Sequence, residues 1–141
     1  MPIEQPQKEV KRKMSLKVDY IGIVVVDMAE SLRFYRLLGV EIGEVDVNEP
    51  HVETTLPNGL RLAWDALPMV KEIDSDWVEP AGQRMGLGFV CDTPQAVDGA
   101  YAKVLDAGFL GKREPWDAFW GQRYAIVLDP DGNEISLFAW I

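Results

Sequence analysis

The feature that most constrains this chain is that it repeats itself. The segment Tyr20-Ile-Gly-Ile-Val-Val-Val-Asp27 is answered by Met85-Gly-Leu-Gly-Phe-Val-Cys-Asp92. Both are apolar runs of strand character ending in an aspartate suited to cap a helix, and a repeat of this kind marks one supersecondary unit used twice. Glu30 stands three residues after Asp27 and Gln95 three after Asp92, the capping-box spacing in each copy. Pro94 falls just inside the second helix, where a missing N–H does no harm.

Both helices close on glycine, at Leu37-Leu38-Gly39-Val40 and Asp106-Ala107-Gly108-Phe109. Met28, Leu32, Tyr35 and Leu38 form the inner stripe of the first, and Val97, Ala100, Tyr101, Val104 and Leu105 that of the second. Three strands follow each helix: 41–47, 51–56 and 60–65 in one half, and 110–115, 122–128 and 134–139 in the other. The last two of each set are joined by Pro57-Asn58-Gly59 or Pro130-Asp131-Gly132, turn residues that tolerate positive φ. The pattern predicts an α+β fold of two tandem βαβββ modules, whose curled mixed sheets surround a cavity. Module one spans 18–65, a linker 66–84 has room for a short helical turn, and module two spans 85–141. Neither half covers its own sheet, so the two should pack together or exchange between subunits.

Residues 1–17 read as a flexible polar arm, with Pro2, Pro6 and the basic Lys11-Arg12-Lys13, ahead of a second plausible start at Met14. The arm holds five bases and two acids, so the formal −9 of the chain becomes −12 in the remainder. A body that acidic repels phosphate backbones and anionic lipid, which argues against nucleic acid and membrane partners and favours a cationic ligand, although acidic charge also serves solubility alone. Cys91 is the single cysteine, which excludes an intrachain disulfide and suits a reducing compartment. No run of apolar residues has the length of a membrane-spanning helix and no signal peptide is evident, so a cytoplasmic location is expected.

The segments 18–39, Pro115-Trp116 and Trp120-Gly121-Gln122-Arg123, with the closing Leu128-Asp129-Pro130-Asp131-Gly132-Asn133-Glu134-Ile135, carry a resemblance over about 18–141. The chain resembles the glyoxalase, bleomycin-resistance and extradiol dioxygenase (vicinal oxygen chelate) superfamily. That resemblance implies a metal site fed by the first and last strands of each module. Its first-strand positions lie seven residues before the capping aspartate, at Tyr20 and Met85, and its last-strand positions four after the turn glycine, at Ala63 and Ser136. Divalent sites want imidazole, thiolate or carboxylate. A phenol, a thioether, a methyl and a hydroxyl do not supply them, so neither a metal nor another cofactor is expected.

If those positions face the cavity, strand alternation brings Gly22, Val24, Arg61, Asp65, Leu87, Phe89, Glu134 and Phe138 there too. The opposite face, with Ile21, Ile23, Val25, Leu60, Leu62, Trp64, Ile135 and Leu137, is uniformly apolar and suits helices. Arg61, Asp65 and Glu134 either serve a ligand or pair with one another near a rim. The loop Trp116-Asp117-Ala118-Phe119-Trp120 places three aromatics in five residues, as a core plug or as a ligand wall. The candidate ligand-binding set is therefore Tyr20, Arg61, Met85, Leu87, Phe89, Trp116, Phe119, Trp120, Glu134, Ser136 and Phe138. No catalytic residue is assigned: Ser136 has no histidine beside it, and Cys91 reads as structural.

These residues predict a metal-free binder that sequesters or carries a small planar or cationic compound, in the manner of the antibiotic-binding relatives, and family likeness implies a homodimer. The alternative is a glyoxalase-like lyase or isomerase, or a dioxygenase, using an atypical site such as His51, Glu53 and Asp65, or metal-free acid–base work by Glu134 or Tyr20. A third reading is an interaction subunit whose cavity is filled by its own side chains.

Overall fold

The computed structural model describes residues 15–141; most of the expected arm, 1–14, lies outside the described residues. The first half contains β1 (Tyr20–Val25), α1 (Met28–Leu37), β2 (His51–Thr55) and β3 (Arg61–Ala66). A short helix, α2 (Leu67–Ile73), opens the connection to β4 (Leu87–Val90), α3 (Pro94–Asp106), β5 (Leu110–Ala118), β6 (Gln122–Leu128) and β7 (Glu134–Trp140). Two open sheets result, ordered β1-β3-β2 and β4-β7-β6-β5. In each, the first strand runs parallel to the last strand of its own half, and the other pairs are antiparallel. This is the mixed α+β architecture that a duplicated βαβββ unit requires, and neither sheet closes into a barrel.

Helix ends follow from local chemistry. The Asp27 carboxylate accepts the amide of Glu30 at 3.1 Å and starts α1. At its other end Gly39 takes φ +96°, and Val40 donates back to the Tyr35 carbonyl. Gly108 does the same for α3 at φ +94°, with Phe109 donating to Val104. The start of α3, however, differs from expectation. Its cap is Thr93, whose hydroxyl accepts from the Ala96 amide, and Asp92 stands one residue outside. The two copies are thus offset by one residue more than the apolar runs suggest.

Two strands also depart from the predicted bounds. Residues 41–47 form no strand, so the first sheet has three members. Three of their carbonyls are taken by side chains instead of a ladder: Arg36 donates to those of Ile42 and Gly43, and Thr54 to that of Glu41. Conversely, β5 extends through Trp116, Asp117 and Ala118, passing Pro115 by register shifts. What reads as an aromatic loop is mostly strand, and only Phe119-Trp120-Gly121 turns, with Gly121 at φ +92°.

The core lies between the sheets and the helices. Val25, Leu62 and Trp64 from one sheet and Ala125, Val127, Ile135 and Leu137 from the other are buried with Leu32, Phe34, Tyr35, Val97 and Val104. The halves share this core, since the Phe34 ring meets Phe109 edge to face at 5.1 Å. Polar pins cross the same boundary. The Tyr35 hydroxyl donates to Asp129 at 2.7 Å, the Val26 amide to Asp131 at 3.0 Å, and Arg33 to the Ala107 carbonyl at 3.0 Å.

Candidate functional site

On the helix-free face of the first sheet, alternation and register bring Tyr20, Gly22 and Val24 beside Arg61, Ala63 and Asp65, with His51 and Glu53 on the next strand. Arg61 bridges Asp19 at 2.7 Å and Glu53 at 2.6 Å, and its guanidinium lies 5.2 Å from the Tyr20 ring centre. His51 uses one ring nitrogen for Glu53, at 2.8 Å, and the other for Asp65. Those two contacts, Glu53 first, raise the imidazole above its ordinary pKa, while His51 and then Arg61 hold the Glu53 carboxyl below the usual range. Arg61, Asp65 and Glu134 do pair, but with other residues and not with one another: Arg61 takes Asp19 and Glu53, Asp65 takes His51, and Glu134 takes Lys112.

The shifted cap moves the second half's donor position from Met85 to Gly86. Met85 is an exposed residue at the mouth of the seam between the halves. Leu87 and Phe89 therefore do not share the cavity face with Ser136 and Phe138. They pair with Ile135 and Leu137 and pack against the core, while Gly88 and Val90 take the cavity side. A hydrogen, a methyl, a phenol and a hydroxyl now occupy the four family positions. The Ser136 hydroxyl is already engaged by Tyr124 at 2.8 Å. Among the described residues, no group of three histidine, cysteine, aspartate or glutamate side chains is arranged to hold a metal ion. His51, with both nitrogens committed to carboxylates, has no lone pair to offer. This donor set does not fit the divalent metal that the family's enzymes use.

The corresponding face of the second sheet is aromatic. Trp116 lies across from Tyr124 and Tyr124 across from Phe138, with Trp140 two residues further along β7. Trp120 folds back over them, 5.3 Å from Tyr124, 6.1 Å from Trp116 and 5.0 Å from Phe119. Tyr124 and Phe138 stack at 6.1 Å with 24° between planes, and Phe138 meets Trp140 edge-on at 6.2 Å. Arg113 covers one face of Trp116 at 3.6 Å, and Trp120 Nε1 donates to Gln122. The cluster is no core plug: Phe119 is 98% exposed, Trp140 68% and Trp120 46%.

The structure thus unites Trp116, Phe119, Trp120, Ser136 and Phe138 on one face and sets Tyr20 and Arg61 on the other sheet. Met85, Leu87 and Glu134 lie at the seam, and Phe89 is withdrawn under α3. Tyr124 and Trp140 were missed, although alternation from Ser136 and Phe138, continued along β7 and across the hairpin, points to both. Nucleophilic chemistry has no geometric support: burial pushes the Cys91 thiol up, and the lone His51 is bound on the other sheet from Ser136.

No curated protein matches the chain. Solved structures match its fold closely. A hypothetical protein from S. aureus superposes with a TM-score of 0.76 at 18% identity, over 92% of this chain and 98% of its own. A glyoxalase/bleomycin resistance protein/dioxygenase from Nocardioides gives 0.73 at 22%, over 98% and 93%. A glyoxalase-related enzyme from Fulvimarina pelagi gives 0.76 at 21%, over 87% of each. The family description itself matches residues 17–137, nearly the whole described domain. With the repeated βαβββ topology, this match shows that the chain belongs to the Glyoxalase/Bleomycin resistance protein/Dioxygenase superfamily.

Proposed function

We propose that this protein binds a planar organic compound, neutral or cationic, on the aromatic face of the β4-β7-β6-β5 sheet, and does so without a metal. The observation that carries the reading is the row Trp116, Trp120, Tyr124, Phe138 and Trp140, lying on the face where the family's donor position is Ser136. Ring stacking tolerates varied polar patterns on a ligand, and the acidic body raises the local concentration of cations. Sequestration or carriage of such a compound, as in the antibiotic-resistance proteins that share the superfamily's name, is the role this surface suits. A lyase, isomerase or dioxygenase step through a divalent metal lacks a donor set here.

Each well-stacked ring contributes roughly 1 kcal/mol beyond its area, so losing one should weaken binding several-fold. The test titrates polycyclic and glycopeptide antibiotics against tryptophan fluorescence, with excess chelator present, for the parent, Trp120→Ala and Phe138→Ala. The expected result is chelator-resistant quenching by at least one compound, weakened several-fold in both folded variants. Binding that vanishes with chelator, or that neither variant weakens, would overturn the reading.

A further inference from the structure

On the helix-free face of the first sheet, Arg61, Glu53, His51 and Asp65 are tied to one another or to Asp19. At the end of the second sheet, Glu134 is neutralised by Lys112. Arg113 is the exception. Among the described residues its guanidinium makes no ion pair and no side-chain hydrogen bond; what it touches is Trp116, with Cζ 3.6 Å from the ring centre. Three positions separate Arg113 from Trp116, a spacing that in a regular strand sends side chains to opposite faces. The register shift between them, at Glu114-Pro115, puts both on the same one. Arg113 lies across from Ile126 and Ile126 across from Ser136, so the cation stands beside the row of Trp116, Tyr124 and Phe138.

A separation of 3.6 Å is that of two planes in van der Waals contact. The guanidinium therefore lies flat on the indole, and its N–H groups point outward past the ring's rim, on an exposed residue. We propose that Arg113 sets the ligand class of the aromatic face: an uncharged polycyclic compound with a ring carbonyl, whose oxygen accepts from the guanidinium while its rings rest on the row. The inference rests on the reading of that face as a binding surface and narrows it to uncharged ligands. A cationic ring would meet a like charge at contact, over an indole whose cation-binding face is already filled. The acidic body draws cations from a distance, but its field is screened over about 10 Å at 0.1 M salt. An anion suits the guanidinium but must approach that same acidic body. A carbonyl oxygen gains the charged donor and meets neither repulsion, and hydrogen bonds to a charged partner exceed neutral ones.

The test uses tricyclic probes of one shape, titrated against tryptophan fluorescence of the intact chain slightly above neutral pH. Acridone is uncharged with a ring carbonyl, acridine is uncharged without one, and 9-aminoacridine is a cation. The parent should bind acridone about tenfold more tightly than acridine, and 9-aminoacridine most weakly. Arg113→Met keeps an unbranched apolar stem over Trp116 and removes both charge and donors. It should bring acridone down to acridine and raise 9-aminoacridine several-fold, whereas Phe138→Ala should weaken all the probes alike. Should Arg113→Met fail to fold, the order of the probes on the parent decides. An order led by 9-aminoacridine, or affinities that Phe138→Ala lowers and Arg113→Met leaves unchanged, would overturn this inference alone. Binding of none of the probes would overturn it as well, and the aromatic-face reading falls with it only if the polycyclic antibiotics also fail to bind.

Discussion

His51 sits between two carboxylates, and its protonation links them to Arg61 and Asp19. A proton NMR titration should place its midpoint above the roughly 6.5 of a free imidazole, and Glu53→Gln should bring it down. A parent midpoint at or below that value would show the contacts absent in solution. The folded pKa of His51 is raised, so its contribution to stability is full below about 6.5 and fades as pH rises through the folded midpoint. The folded pKa of Glu53 is depressed, so its contribution is full above about 4.3 and fades as pH falls through its own midpoint. The network is therefore strongest between those limits, and weak in absolute terms because its members face solvent. Tyr35 is a different case. Its ring is buried and its hydroxyl donates to the nearly buried Asp129, so Tyr35→Phe should lower stability by about 2 kcal/mol, measured by urea unfolding. A loss within error of zero would mean that Asp131 and Asn133, which also donate to Asp129, suffice.

The start of α3 distinguishes two readings of one element. Thr93→Ala should destabilise the protein by about 1 kcal/mol, since it removes the acceptor for the Ala96 amide, while Asp92→Ala should change stability far less. The reverse order in thermal unfolding would restore Asp92 as the cap. The one-residue slip had large effects because strand side chains alternate: it sent Leu87 and Phe89 to the core side and took Met85 off the donor position. Most of the architecture was legible all the same. Helix-stop glycines, the Asn-Gly and Asp-Gly hairpins and the period-two apolar faces each act locally, so they can be read without the partner strand. Residues 41–47 were misread because their fate depends on Arg36 and Thr54, whose side chains take the carbonyls a neighbouring strand would otherwise use. The β5 extension was misread because Pro115 signals a stop that register shifts circumvent. On the site, the aromatic residues of the turn were visible as composition, but their union with Tyr124 and Trp140 is a cross-strand property that only pairing reveals.

At the scale of the whole molecule, Val90, Leu110, Phe119, Trp140 and Ile141 leave apolar side chains exposed on the second half. No helix among the described residues is long and apolar enough to cross a membrane. The homodimer is our proposal for how part of that surface is covered. Light scattering should return about twice the 15.9 kDa chain mass, and a value at the chain mass across a wide concentration range would remove the proposal. The two halves within a chain are joined differently, by a shared core and by single hydrogen bonds between distant residues. Val26 shows what that entails. The residue is 75% exposed just past the end of β1, where an amide would ordinarily trade its proton with water quickly, yet Asp131 holds it from 105 residues away. Deuterium replaces that proton when the Val26–Asp131 bond opens, so its exchange rate reports on a link between the halves and not only on the strand that carries the amide.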